Sequence, residues 1–253
     1  MPKGLVNLGN TCYFNSALQC LLHVPSLSNR FLRDGEYTGE CTVTREYSKL
    51  VRMFWNKTGT ELVHPRNVLH AFIERCPQFK QGQQHDTHEA VLALLDIFEK
   101  SLGNEYIKTL FYGTEVQVVT YPNGTSRREN DIMSLFVEQS LNDYSKYEYL
   151  TDYVDDAGRR YNVAALHTEL KSLGHCLPVT FMQKCKVKDI PEEFQGMKLF
   201  ALVIHWGIAL GGHYYVFVKH KGQWRLTDDD SIQDVDKPHD HVPCSMAWYK
   251  KVT

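Results

Sequence analysis

The sequence predicts an α+β fold, because its helix-forming and strand-forming patterns occupy different parts of the chain. Over about the first hundred residues, apolar side chains recur at the spacing of one helix face. Beyond about residue 110, β-branched and aromatic runs replace that pattern and are separated by glycine-rich or charged turns. The 253 residues contain no internal repeat and no linker-like tract, so we expect one extended domain over residues 1–253.

Four amphipathic helices are predicted in the first part of the chain. The first follows Asn10 and Thr11, either of which can cap it, and the third begins near Pro65, since proline suits a first helical turn. The fourth runs from about Asp86 to Leu102, and the apolar faces of all four are expected to pack together. The positions that define the faces of the first, second and fourth helices are Phe14, Ala17, Leu18, Leu21 and Leu22, then Tyr47, Leu50, Val51, Phe54 and Trp55, then Ala90, Val91, Leu94, Leu95 and Phe98.

Strand patterns follow in two regions. Val116 to Tyr121 favours a strand, and the turn-forming run Pro122 to Thr125 predicts a projecting hairpin. The last third contains a series of β-rich runs, namely Leu199 to Trp206, His213 to Lys219, Trp224 to Thr227 and Ala247 to Val252.

The composition excludes several classes of partner. A net charge of -2 without any lysine or arginine run argues against nucleic acid and against an anionic membrane surface. No stretch of about 18 apolar residues predicts a membrane span, and the N-terminus lacks the pattern of a secretory signal. Seven irregularly spaced cysteines without a Cys-x-x-Cys pair predict reduced thiols, hence the cytosol or the nucleus, and no structural zinc.

Cys12 is the candidate nucleophile. It opens the first predicted helix, where the positive end of the helix dipole and unpaired backbone N–H groups favour a thiolate. Asn7, five residues upstream, can direct its amide to the same place as an oxyanion donor. For an isolated cysteine and asparagine, a buried structural thiol and a turn residue would be the commoner interpretation.

His213 is the candidate general base. It opens a predicted strand after two glycines, where an imidazole can project beside an open loop. Asp228 follows the next short strand run and can orient the imidazole, as the third member of such triads does. Asp229 and Asp230 occupy the same turn, so the pattern alone leaves the assignment among the three aspartates open.

Three segments resemble the signature boxes of ubiquitin-specific proteases, in the family's order. GLVNLGNTCYFNSALQCLL resembles the cysteine box, QHDTHEAVLALLD the glutamine/aspartate box and FALVIHWGIALGGHYYVFVKHKGQWRLTDDDSI the histidine box. The resemblance implies a papain-like hand with a helical thumb over about residues 1–105, reduced fingers and a connecting segment over about 106–175, and a β-rich palm over about 176–253. It fits either an excised catalytic domain or a naturally minimal enzyme, cellular or viral.

The same resemblance implies a role for each matching position. The groups that carry the chemistry are the nucleophile Cys12, the base His213, the orienting acid Asp228, the oxyanion donor Asn7 and the supporting Asp229. The positions that hold the extended C-terminal tail of ubiquitin are Asp86, Glu89, Tyr214 and Gly212. Without the resemblance, Asp86 would be interpreted as a residue of a helix start, Glu89 as a solvated side chain and Tyr214 as a core residue.

The implied activity is thiol-dependent hydrolysis at the C-terminal glycine of ubiquitin, with no cofactor and with a monomer acting on ubiquitin conjugates. One alternative is the same chemistry on an interferon-induced ubiquitin-like modifier, which shares the tail. A second alternative, a ubiquitin-binding module without activity, would lack a member of the triad, yet all three positions match.

The sequence also departs from the family pattern. The four cysteines that bind zinc in the fingers are missing, so we expect fingers held without metal through the strand pair around Pro122 to Thr125. His85 stands at the position of a glutamine, and Ala90 at the position of an aromatic residue. These changes lie outside the triad, so we expect activity to persist while the preference for a modifier or linkage shifts.

Overall fold

The computed structural model describes residues 3–58, 62–208 and 211–252. Helices are α1 (Cys12–Leu22), α2 (Pro25–Arg33), α3 (Thr42–Trp55), α4 (Arg66–Arg75), α5 (Thr87–Leu102) and α6 (Asn104–Phe111). Strands are β1 (Gly4–Leu5), β2 (Leu62–Val63), β3 (Gly113–Tyr121), β4 (Gly124–Ile132), β5 (Leu135–Val137), β6 (Glu148–Val154), β7 (Arg160–Ser172), β8 (Cys176–Lys186), β9 (Glu193–Phe194), β10 (Met197–Trp206), β11 (His213–His220), β12 (Gln223–Asp228), β13 (Ser231–Val235) and β14 (Pro243–Lys251). The predicted α+β class is confirmed.

The predicted helices are confirmed as α1, α3, α4 and α5, and α1 is the central one. All of its residues are buried, which is typical of a helix enclosed on every side. It packs against α2, α5 and β11. The predicted side-chain cap of α1 is wrong, because Thr11 occupies the N-cap position without bonding the first turn. The Thr11 hydroxyl instead donates to Asn7 Oδ1 and accepts from the Leu8 N–H.

Two helices, α2 and α6, were not predicted from the sequence patterns. In α2, only Leu27, Ser28 and Phe31 are buried, which is too sparse a stripe to predict a helix. The short α6 follows α5 after Gly103, whose φ of 100° ends the preceding helix. None of the helices in the described ranges is both long and apolar enough to cross a membrane.

An eight-stranded sheet carries the second half of the fold. Its strands lie in the order β13-β12-β11-β10-β14-β8-β5, with β9 paired to β10 outside that path. One face of the sheet packs on the helices through Phe200, Val216 and Trp248. The other face has its own apolar cluster, which includes Leu202 and Phe217. The predicted late strands are confirmed as β10, β11, β12 and β14.

A separate four-stranded antiparallel sheet has the order β4-β3-β7-β6. The predicted hairpin is confirmed, with a turn at residues 122–123, but the longer strand β7 also pairs with β3 and β6. Near the end of this sheet, the buried Asp155 accepts bonds from the Arg159 side chain and from the Tyr161 hydroxyl. The Tyr161 ring packs on Tyr121 at a centroid distance of 4.7 Å, and Tyr121 packs on Tyr153 at 5.5 Å.

The N-terminal segment is attached to the far end of the chain. Strand β1 pairs in parallel with β2, and the Leu5 N–H donates to the Asp229 carbonyl over 2.8 Å. Gly4 lies so close to the same turn that a Cβ there would sit 2.3 Å from the Asp230 carbonyl oxygen. This contact places residues 7–12 beside the β12–β13 turn.

Candidate active site

Cys12 lies at the start of α1, against the start of β11. Its side chain is 2 % exposed, and burial raises the pKa of the thiol above its ordinary value. The backbone N–H of Tyr214 opposes that rise, whereas the charge of Asp229 adds to it. Our expectation that the helix start favours a thiolate is therefore wrong for this structure, because burial outweighs the N–H groups. The thiol needs a base to give up its proton.

His213 opens β11 and is directly followed by Tyr214, whose N–H faces Cys12. The His213 Nε2 lies 2.6 Å from Asp228 Oδ1. Because Nε2 faces this carboxylate, Nδ1 is the ring nitrogen left for proton transfer. Asp228 is the last residue of β12, which pairs with β11, so the sheet holds the imidazole and the carboxylate in register. The pair is half-exposed, which leaves the imidazole accessible to a substrate.

Asp229 makes a different set of contacts from Asp228. Its Oδ2 accepts from Asn7 Nδ2 and its Oδ1 accepts from Asn15 Nδ2, each over 2.7 Å. Asn7 Oδ1 in turn accepts from the backbone N–H of Gly9 over 2.9 Å. Asn7 binds this loop through its oxygen and Asp229 through one amide hydrogen. Its second amide hydrogen has no partner within the described part of the chain and can donate.

The turn that carries both aspartates is strained. Asp229 adopts a φ of 48° between β12 and β13. This left-handed region costs an L-residue about 1 kcal/mol, and aspartate tolerates it better than most residues. At this turn Asp228 faces His213 and Asp229 faces Asn7, so two adjacent carboxylates serve different partners.

Three of the four predicted tail-binding residues lie together. Asp86 is the N-cap of α5 and accepts from the N–H groups of His88 and Glu89. The Tyr214 hydroxyl donates to Asp86 Oδ2 over 3.4 Å. Glu89 lies exposed in the first turn of the same helix. The fourth predicted residue, Gly212, directly precedes His213 and contacts the loop before α5.

Gly212 lies where backbone and side chains from both halves of the fold meet. Its N–H donates to Gln84 Oε1 over 2.8 Å, which joins the loop before α5 to the loop before β11. A Cβ at Gly212 would sit 2.1 Å from His205 Nε2 and 2.4 Å from the Trp206 carbonyl oxygen. His205 is buried and stacks on Tyr214 at a centroid distance of 4.0 Å. Only glycine fits this position without displacing its neighbours.

Sequence reasoning missed three residues of this site. Asn15 lies one turn after Cys12 on α1, and that spacing is a signal that it faces the same direction. Gln84 precedes the predicted helix start at Asp86. His205 alternates with Trp206 on a strand whose pattern is typical of a core strand, so nothing in the sequence singles it out.

His213, Asp228 and Asp229 are also the residues of a possible metal cluster within the described ranges, since their ligand atoms lie within 4.8 Å of one another. In each residue, at least one of these atoms already has a protein partner: His213 and Asp228 bond each other, and Asp229 is held by two amides. The arrangement is therefore accounted for by hydrogen bonding alone.

Residues 3–247 match a family model described as ubiquitin carboxyl-terminal hydrolase. The chain belongs to this family. Ubiquitin carboxyl-terminal hydrolase 25 of Arabidopsis thaliana is 26 % identical over 91 % of this chain, which corresponds to 44 % of the relative. Ubiquitin carboxyl-terminal hydrolase 36 of Drosophila melanogaster is 31 % identical over 39 % of this chain and 10 % of its own length. The chain thus aligns with less than half of each relative.

Solved structures share the hydrolase fold. The SAGA deubiquitinating (DUB) module of Ubp8, Sgf11, Sus1 and Sgf73 bound to ubiquitin aldehyde matches with a TM-score of 0.81 and 17 % identity, over 99 % of this chain and 70 % of that chain. The same module with a cysteine-to-alanine form of Ubp8, bound to monoubiquitin, gives a TM-score of 0.83 at 16 % identity, over 99 % of this chain and 69 % of that chain. At this identity the likeness establishes the fold. It agrees with the papain-like hand expected from the three sequence boxes.

Proposed function

We propose that this hydrolase cleaves peptide and isopeptide bonds at the C-terminal glycine of ubiquitin, with Cys12 as nucleophile. The observation that carries the proposal is the meeting of Cys12, at the start of α1, with the start of β11, where His213 is bonded to Asp228. A cysteine, an imidazole and a carboxylate in this relation are the parts of a thiol hydrolase. Family membership supplies the reaction class in which they act.

The reaction would begin with transfer of the Cys12 proton to His213 Nδ1, since burial disfavours a standing thiolate. The thiolate attacks the carbonyl carbon of the terminal glycine. The free amide hydrogen of Asn7 and the backbone N–H of Cys12 donate to the resulting oxyanion. Asp228 stabilises the imidazolium formed at His213 through the 2.6 Å contact.

Collapse of the tetrahedral intermediate would break the C–N bond, and His213 would give its proton to the departing lysine amine. A thioester then joins Cys12 to the glycine. His213 accepts a proton from an attacking water, and the second intermediate releases the glycine carboxylate while Cys12 recovers its proton. The two halves balance without an oxidant, a reductant or a cofactor.

Tail recognition would use the narrow passage between Asp86, Tyr214 and Gly212. Ubiquitin ends in two glycines, whose lack of side chains allows the backbone to pass a constriction. Asp86 and Glu89 supply negative charge for a basic tail, and the Asp86 carboxylate is fixed as a helix cap. Specificity would thus depend on the tail rather than on the sequence around the target lysine.

A single chain would suffice, because every group of the proposed mechanism comes from one copy. All seven cysteines are free, which suits a reducing compartment, so we place the activity in the cytosol or the nucleus.

The test uses ubiquitin with a fluorogenic C-terminal amide. We expect release by the wild-type chain, loss of release in Cys12→Ser, and near-normal release in Cys41→Ser, a half-buried cysteine at the N-cap of α3. Equal loss in both variants would show that the signal does not report the Cys12 thiol.

Two further outcomes would redirect the proposal. If the chain releases the fluorophore only from the interferon-induced modifier that bears the same amide, the proposed mechanism stands and that modifier is the substrate. If the folded chain binds ubiquitin but releases neither fluorophore, the chain is a binding module and the catalytic proposal is wrong.

A further inference from the structure

A cationic groove lies at the end of the palm sheet opposite the candidate active site. It encloses about 710 Å³, and its wall includes Lys219, at the far end of β11 from His213. Lys219 lies six positions after His213 along the extended strand, which corresponds to about 20 Å. The groove is therefore a separate surface, and none of its lining residues takes part in the proposed hydrolysis.

The charge of the groove is strongly unbalanced for a chain of net charge -2. Its lining includes two glutamates, Glu192 and Glu193, and five lysines, which are Lys198, Lys219, Lys221, Lys250 and Lys251. Lys219 pairs with Glu192 over 3.3 Å and Lys198 pairs with Glu193 over 3.5 Å. The described residues place no carboxylate within ion-pair distance of the other three lysines. Lys251 Nζ instead donates to the Leu173 carbonyl over 2.8 Å, so Lys221 and Lys250 are the unpaired lysines of the groove.

The positive charge of Lys250 is energetically unfavourable in its partly buried position. Its ammonium lies over the Phe200 ring, 4.8 Å from the centroid, and it is only partly exposed. Burial lowers the pKa of Lys250, as expected for a cation taken from water without an anionic partner. An anion entering the groove would supply that partner.

The groove also has an apolar wall. Pro25, at the start of α2, Leu199 and Val252 line it beside the lysines, and Val252 is 65 % exposed. A ligand that fits must therefore bring both negative charge and apolar side chains. Glu192 and Glu193 are paired with Lys219 and Lys198, so the remaining positive charge is confined to separate lysines, which suits discrete carboxylates better than a continuous polyphosphate backbone.

We propose that this groove binds an acidic peptide segment of a partner protein, with its carboxylates on the unpaired lysines and an apolar side chain against Pro25 and Val252. Charge complementarity between an acidic segment and this rim would give both attraction and register. The proposal does not depend on hydrolysis, because the surface lies apart from Cys12.

The test measures fluorescence anisotropy of a labelled peptide, Glu-Asp-Phe-Glu-Asp-Leu-Glu-Asp, added to the full chain. We expect saturable binding that weakens with salt, and about fivefold weaker binding in each of Lys250→Gln and Lys221→Gln. The control Lys100→Gln removes an exposed lysine of α5 and should leave binding unchanged. The groove variants should retain wild-type rates on fluorogenic ubiquitin, which separates this surface from the catalytic one.

Three results would overturn the proposal. One is equal binding of the peptide in which Gln and Asn replace Glu and Asp. Another is unchanged affinity in the double variant Lys221→Gln/Lys250→Gln, provided that its thermal unfolding matches the wild type. The third is displacement of the peptide by a short duplex DNA or by tripolyphosphate at lower concentration than by unlabelled peptide, which would assign the groove to phosphate ligands.

Discussion

Asn7 Nδ2 donates to Asp229 Oδ2 over 2.7 Å, and this hydrogen bond joins residues that are 222 positions apart in the chain. It holds the proposed oxyanion donor from one side, while the loop before α1 holds the amide oxygen from the other. In the proposed mechanism, Asp229 would therefore act on catalysis through Asn7, whereas its neighbour Asp228 would act through His213.

The first prediction concerns this pair. Asn7→Ala should lower kcat by about 10²–10³-fold, the usual effect of losing an oxyanion donor, with little change in KM. Asp229→Ala should lower kcat less, because Asn7 remains but is no longer oriented. Steady-state kinetics of the double variant should resemble Asn7→Ala alone. Additive losses would show that the two residues act independently.

The second prediction separates the adjacent aspartates. Asp228→Asn should lower kcat by about 10²–10⁴-fold, because His213 loses the carboxylate that fixes its orientation and stabilises its charge. Asp230→Asn, an exposed change in the same turn, serves as the matched control and should stay within about twofold. A larger effect at Asp230 would refute this assignment.

The third prediction concerns the reactivity of the thiol. Because burial and the charge of Asp229 raise the pKa of Cys12, the thiol is protonated at neutral pH in the free protein. Alkylation of Cys12 by iodoacetamide should therefore keep rising above the pH at which an ordinary cysteine levels off. Asp229→Asn removes one cause of the rise and should move the profile to lower pH. The same variant should turn over substrate more slowly. Its alkylation rate at a given pH should therefore rise while its catalytic rate falls. A plateau at neutral pH in the wild type would contradict the raised pKa.

The fourth prediction uses two neighbouring glycines. Gly212→Ala should reduce kcat/KM by at least about tenfold, because a Cβ there collides with His205 and with the Trp206 carbonyl. Gly211→Ala is the control, since among the residues that the structure describes its Cβ would meet only Ile208, at 3.8 Å. Adding His205→Ala to Gly212→Ala should restore part of the activity by removing one of the clashes. Equal rates for the two single variants would refute the proposed constriction.

The fifth prediction concerns the four-stranded sheet. Asp155→Ala should lower the melting temperature, because it leaves the Tyr161 hydroxyl and two backbone N–H groups without their acceptor.

Incubation of the wild type with a strong chelator should leave both melting temperature and activity unchanged, as measured by differential scanning fluorimetry and fluorogenic turnover. A chelator-induced shift would mean that a metal contributes to stability.

The sequence predicted the long helices and the late strands well, because Leu18, Leu94 and Phe217 belong to faces whose period is unmistakable. Strands β6 and β7 were not predicted, because most of their residues, such as Thr151 and Val163, are exposed or half-buried, and apolar and polar side chains do not alternate cleanly along them.

The sequence indicated the residues of the candidate site, but it did not indicate which of them contact one another. Asp228 and Asp229 bond different partners across a turn in which Asp229 has a positive φ. The raised pKa of Cys12 depends on how completely α1 is enclosed. Neither backbone strain nor enclosure can be read from residue types alone.

The attachment of the N-terminal strand to the β12–β13 turn has a consequence for biosynthesis. Cys12 emerges early from the ribosome, but its base and the residue that holds Asn7 are among the last parts of the fold to be made. Until β11 has been made, α1 lacks the strand that completes its enclosure, and the Cys12 thiol has no imidazole to accept its proton. On the proposed mechanism, a nascent chain or one truncated before β11 would therefore be inactive.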